Sequence, residues 1–259
     1  MAKERIRDEL EKSLLSDQPA RALRLLREAE LLPYTIPELT ETIGRSQGSD
    51  SDYDLFEHTA LVTQFVPPKL ELRLAALFHD VAKAWTLMET EDGRLAFPEH
   101  DRLSAEVAQE RLRELHFPNK VAEGAAHLVR HHMFGYSSEY GDAALRRMIS
   151  RVGQEAVEEL ITLRRADVAG KRGKLVPVRE MDELQDRLGE ILSEDTALSR
   201  KDLAVDGRDL MEEAGIPAGP TLGQVLDLLL EAVLDDPLMN ERDRLIRLAR
   251  NIYRERIAR

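Results

Sequence analysis

The sequence predicts an all-α protein, and three observations point there. Leu, Ala, Glu and Arg dominate the 259 residues while aromatics are only 5%, a composition of good helix formers. Apolar residues recur at three- and four-residue spacing along most of the chain. No stretch shows the two-residue alternation of a convincing strand, and no internal repeat is visible. With 42% hydrophobic and 33% charged residues, the chain can bury a sizeable core and is not composed like a disordered one.

Composition also limits the chemistry. There is no cysteine, so disulfides, cysteine zinc sites and thiol nucleophiles are excluded, and any metal must be held by histidine and carboxylate. A formal net charge of -12 argues against a broad nucleic-acid-coating surface but leaves room for a local basic patch. The start, Met1-Ala2-Lys3-Glu4-Arg5, is charged and unlike a signal peptide. The longest apolar runs, such as 226–234, are too short and interrupted to span a membrane. The expected location is cytoplasmic.

Residues 3–30 read as two helices parted at Ser16-Asp17-Gln18-Pro19, a cap-and-proline start signal. The second has an apolar face of Ala22, Leu23, Leu25, Leu26 and Ala29. Leu31-Leu32-Pro33 ends it, and Pro37-Glu38-Leu39 opens a short helix that stops near Gly44. Residues 44–53 are rich in Gly, Ser and Asp, read as a loop, and mark a subdomain boundary. Helices follow at 54–66 and 70–86, then a polar hairpin or loop around Asp92-Gly93, then helices at 103–115 and 119–133. Gly135 and Gly141 mark another loop. Further helices are expected at 143–151, 154–169 and 177–193, with extended or irregular chain from Ser193-Glu194-Asp195 to 206. The tail carries helices at 207–214, 221–235 and 240–257.

The chemistry gathers around Leu74–Ala84, an apolar run broken by His79-Asp80 and then Lys83. Buried polar groups need partners. A metal ion would satisfy both side chains at once; a buried His–Asp hydrogen bond that only orders the helix is the other reading. All seven histidines (58, 79, 100, 116, 127, 131 and 132) fall between 58 and 132. His58, His79, Asp80, His100, His132 and Asp167 are spaced so that successive helices could each deliver a ligand to one point. Four imidazoles and two carboxylates would hold two divalent ions, with Asp80 between them, and such a set suits manganese, nickel, cobalt, iron or zinc. Lys83 lies about one turn beyond Asp80 and is placed to meet a phosphate; a solvated lysine is the plainer reading.

The pattern His58…His79-Asp80…Asp167 resembles that of the HD-domain metal-dependent phosphohydrolases. Leu77-Phe78-His79-Asp80-Val81-Ala82-Lys83 is similar to their central motif, and Phe97-Pro98-Glu99-His100 and Leu128-Val129-Arg130-His131-His132 resemble the added histidines of dinuclear members. The family spacing favours His132, with His131 the runner-up. His127 is a further alternative, His116 reads as structural or solvated, and Asp54 is open to a supporting role. The wider chain resembles the HD-carrying body of bacterial tRNA nucleotidyltransferases and poly(A) polymerases. The carriers are Arg21–Leu32, Pro37-Glu38-Leu39, Glu57-His58-Thr59, Asp202–Met211, Gly215–Pro220 and Asp236-Pro237…Asn240. The chain looks as if it begins where the neck of such an enzyme begins, without the nucleotidyltransferase head. The expected division is 1–48 as a helical neck-like segment, 49–172 as the HD metal-binding domain and 173–259 as a helical tail.

The resemblance implies a hydrolase: a metal-dependent phosphodiesterase or phosphatase acting on nucleotides or RNA-terminal phosphates, with Asp80 and Lys83 at the reaction centre. The alternative is a body-like module that binds tRNA and partners a separate nucleotidyltransferase, its metal site structural. A di-iron oxygenase is a third reading of the same ligands. The resemblance also implies tRNA contact through the C-terminal helices, where Arg247, Arg250 and Arg254 share a face; a solvated amphipathic helix is the plainer reading. Arg146-Arg147 and Arg164-Arg165 are further candidates for phosphate contact.

Overall fold

The computed structural model of the chain describes residues 2–48, 51, 53–193 and 197–257, and it is all-α. The helices are α1 (Lys3–Leu14), α2 (Pro19–Glu28), α3 (Leu32–Thr35), α4 (Leu55–Phe65), α5 (Leu70–Phe78), α6 (Lys83–Thr86), α7 (His100–Glu114), α8 (Asn119–His131), α9 (Asp142–Val152), α10 (Gln154–Arg172), α11 (Arg179–Ser193), α12 (Gly207–Glu212), α13 (Pro220–Asp235) and α14 (Arg242–Ile252). Short 3₁₀ turns lie at Pro37–Thr42, Arg200–Asp202 and Pro237–Met239. The two-residue strands β1 (Met88–Glu89) and β2 (Leu95–Ala96) pair antiparallel, Met88 opposite Ala96, and form the hairpin around Asp92-Gly93.

The chain forms two compact units, Met1–Gly135 with Glu155–Met181, and Tyr136–Gln154 with Asp182–Arg259. In the first, α5 is rich in apolar residues around its circumference, as suits a helix at the centre of a core; every residue from Leu72 to Phe78 is buried. It packs against α1, α4, α7 and α8. Arg73, buried with them, donates to the carbonyls of Leu14 (3.0 Å) and Pro67 (3.1 Å), tying the end of α1 to the start of α5. Asp54 caps α4: its Oδ1 accepts from the Glu57 amide (2.7 Å) and its Oδ2 from the Gly44 amide (2.8 Å). The second unit closes over Leu210, Val225, Leu229, Val233, Leu245 and Ala249. There Arg146 donates to the carbonyl of Leu234 (2.8 Å), and Arg147 pairs with Glu231 and Asp235, joining α9 to α13. Neither arginine serves as a free phosphate contact. No helix among the described residues is long and apolar enough to cross a membrane.

Several elements differ from expectation for local reasons. The helix expected over 70–86 breaks after Phe78, and residues 79–82 form a turn before α6 resumes. The Phe78 carbonyl takes the Val81 amide (3.2 Å), a three-residue step too tight for an α-helix. α7 starts at His100, three residues early, because Glu99 adopts the left-handed conformation (φ 53°) and turns the chain directly into the helix. α3 forms although Leu31-Leu32-Pro33 reads as a stop; Pro33 sits in its first turn, where a missing amide costs nothing. α10 continues through Gly170 to Arg172, and Gly173 (φ 65°) terminates it. Of the expected loops, Ser49, Asp50, Asp52, Glu194, Asp195 and Thr196 lie outside the described residues.

Candidate metal centre

The first unit brings six of the proposed ligands together. His58 comes from α4, His79 and Asp80 from the turn after α5, His100 from the first position of α7, His132 from the residue after α8, and Asp167 from α10. All six are buried. They form two groups that share Asp80: His58, His79, Asp80 and Asp167, and Asp80, His100 and His132. Within each group, one ligand atom per residue lies within 4.8 Å of the others. The Asp80 carboxylate divides itself between them. Its Oδ2 is 3.2 Å from His79 Nε2 and 3.5 Å from His58 Nε2, while its Oδ1 is 3.4 Å from His100 Nε2 and 3.5 Å from His132 Nε2.

The hydrogen bonds around the rings test whether a cation suits this cluster. Nδ1 of His79, His100 and His132 lies 2.9, 2.7 and 2.7 Å from the carbonyl oxygens of Ala76, Phe97 and Val129 respectively. Each Nδ1–H donates there, so each neutral ring presents the Nε2 lone pair to the cluster. Such outer hydrogen bonds are how proteins orient imidazole ligands. Asp80 Oδ1, His100 Nε2 and His132 Nε2 are buried and have no hydrogen-bond partner among the described residues. Three acceptors facing one another repel unless a cation lies among them, so this group fits a divalent metal. The group around His58 admits a proton as well: His58 Nε2 lies 3.2 Å from His79 Nε2 and 3.3 Å from Asp167 Oδ1.

Ionisation follows the same geometry. Burial pushes the His79 imidazole down, toward the neutral form that a ligand needs. Burial also lowers His58, but its bonds to Asp167 and Asp80 outweigh that and raise it. Burial would raise Asp80; the charges of His79 and Lys83 hold it well below the usual carboxylate range instead. The Lys83 charge is the part that persists when His79 is neutral. Asp167 behaves alike, with burial opposed by His58 and Lys171.

Lys83 donates from Nζ to Asp80 Oδ2 at 2.6 Å and stands 5.3 Å from the Phe97 ring centroid, so its ammonium is engaged with the shared carboxylate. Arg164 pairs with Asp167 at 2.8 Å. Lys171, 3.9 Å from Asp167, also lines a cavity of about 590 Å³ together with Arg94, Gln47 and Ser51. The remaining histidines stay out of both groups. His131 sets its ring against His127 (4.7 Å between centroids), so the cluster takes His132. His116 is exposed and bonds Glu4 at 2.8 Å.

Two residues that shape the centre were not singled out from the sequence. Ser104, fully buried on α7, accepts from the Ala82 amide at 3.0 Å. Gly170 lets α10 lie against His58 and Val62. A serine inside a helix and a glycine before a helix end were the available signals.

Comparison with known proteins places the chain. Residues 100–249 match the family described as "tRNA nucleotidyltransferase domain 2 putative". Residues 1–43 match "Probable RNA and SrmB- binding site of polymerase A". The chain is 38% identical to the CC-adding tRNA nucleotidyltransferase of Thermus thermophilus, over 89% of this chain and 52% of that protein. It is 35% identical to the A-adding tRNA nucleotidyltransferase of Deinococcus radiodurans, over 88% and 54%. It is 29% identical to the multifunctional CCA protein of Cupriavidus metallidurans, over 66% and 43%. The chain thus spans about half the length of the two tRNA nucleotidyltransferases it matches. These names correct the expected phosphodiesterase or phosphatase activity: the relatives are transferases named for adding nucleotides to tRNA, and the tRNA-binding alternative accords with them better. The extent of the match from 100 to 249 makes this chain a member of the tRNA nucleotidyltransferase domain 2 family.

Proposed function

We propose that the chain is an RNA-binding, body-like module that engages tRNA and partners a separate nucleotidyltransferase, with the histidine–aspartate cluster as a structural metal site. The match of residues 1–43 to a probable RNA-binding site carries this reading. That segment exposes Arg5 and Arg21 on α1 and α2. In α14, Arg242 and Arg250 are held by Asp209 and Glu213, whereas Arg247 is exposed and has no hydrogen bond or ion pair among the described residues. Arg5, Arg21 and Arg247 are the side chains we assign to phosphate contacts.

In this reading His58, His79, Asp80, His100, His132 and Asp167 hold one or two divalent ions of manganese, iron, cobalt, nickel or zinc. The ions would fasten five segments of the stretch 49–172 to one point, and the nucleotidyl-transfer chemistry would belong to the partner. A gel shift with tRNA tests the reading. The logarithm of the binding constant should fall linearly with the logarithm of salt concentration, and the Arg5→Glu/Arg21→Glu pair should weaken binding. A chain that leaves tRNA unshifted at low salt would refute it.

A further inference from the structure

We infer that Ser104 is the positioning residue that holds Asp80 between the two ligand groups; the inference rests on the structural metal site proposed above. α5 ends at Phe78, and the peptide groups that follow are taken up by a tight turn. The Val81 amide goes to the Phe78 carbonyl at 3.2 Å, and the Lys83 amide to the Asp80 carbonyl at 3.0 Å. The Ala82 amide between them has the Ser104 hydroxyl as its acceptor, at 3.0 Å. A buried amide left without an acceptor is destabilising, so the turn depends on that oxygen.

Ser104 follows His100 by one helical turn and shares its face of α7. One rigid helix therefore delivers a ligand and pins the backbone two residues beyond Asp80. The two Asp80 oxygens address different ligand groups, so a rotation of the turn misaligns the carboxylate for both at once. Serine is a mediocre helix former; here, among buried Ala105, Ala108 and Leu112, its hydroxyl is what the position supplies.

The test uses the full chain and manganese(II), with affinity measured by competition against a chelating dye. Ser104→Ala should raise the manganese Kd about 10-fold, the low end of what loss of a ligand's own hydrogen-bond partner causes, because Ser104 acts on Asp80 through the turn, and should speed hydrogen exchange at the Ala82 amide. Ser104→Thr keeps the acceptor and should bind near the wild-type level even where its added methyl lowers Tm. Ala108→Gly, buried one turn further along α7, should lower Tm without weakening manganese binding. The inference is overturned if Ser104→Ala binds manganese like the wild type, or if Ser104→Thr or Ala108→Gly loses as much affinity as Ser104→Ala. A wild-type chain that binds neither manganese nor zinc would instead remove the metal site itself, and this inference with it.

Discussion

A methyl group at position 170 has nowhere to go. Built on Gly170, a Cβ would sit 2.5 Å from Val62 Cγ2 and 3.0 Å from His58 Nδ1. Val62 is fully buried, so it cannot swing aside into solvent. Alanine is the better helix former by about 1 kcal/mol, but overpacking of this kind costs about 1–3 kcal/mol. Gly170→Ala is therefore expected to lower Tm by several degrees and to weaken the proposed metal binding, because His58 is pressed along with Val62. Calorimetry with and without added manganese checks both effects; a variant as stable and as metal-avid as the wild type would contradict the packing. The same scale shows what was legible in the residues. His79-Asp80 stood out because two polar groups interrupt an apolar run. The choice of His132 over His131 came only through family spacing; its reason is that His132 lies past the last turn of α8, where its Nδ1 reaches the Val129 carbonyl.

At the scale of elements, helix existence was readable and helix ends were not. α5 was evident from its unbroken apolar run, yet its stop at Phe78 has no Gly or Pro to announce it; the break depends on Ser104, distant in sequence. The helix expected over 154–169 runs on through Gly170 to Arg172, and the role of that glycine is close approach between α10 and α4. In the second unit, α12 and α14 are clasped by Arg242, which bonds Asp209 at 2.6 Å and pairs with Glu213. The hydrogen bond from Arg242 is the chief reason the Glu213 carboxyl lies below its ordinary range. Depressed carboxylates contribute stability that is present above their unfolded pKa, about 4.3 for Glu, and is lost as pH falls through the lower folded value. Arg242→Ala should thus move the onset of acid unfolding to higher pH, as followed by helical circular dichroism between pH 6 and 2. The pair is exposed, so the displacement should shrink in high salt. An onset unchanged at low ionic strength would show that the clasp contributes nothing.

The two proposed roles act on different parts of the whole molecule and can be separated. The histidine–aspartate cluster draws its side chains from α4, α7, α8, α10 and the turn after α5, all within the first unit. A metal bound only by the folded chain stabilises it by about 2.7 kcal/mol at a hundredfold excess over Kd. Chelation should therefore lower Tm markedly and reversibly, with manganese or zinc restoring it; an unchanged Tm would mean that protons, not metals, satisfy the buried imidazoles. Phosphate contact behaves otherwise. With a formal charge of -12, the proposed tRNA contact would rest on local arginines rather than a generally attractive surface, and each such contact would release counterions. Arg247→Glu, an exposed change on α14, should leave Tm and metal content untouched. It should weaken tRNA binding across sequences and reduce the salt slope by roughly 1. Equal slopes for variant and wild type, measured by filter binding from 50 to 200 mM salt, would remove Arg247 from the proposed tRNA contacts while leaving Arg5 and Arg21.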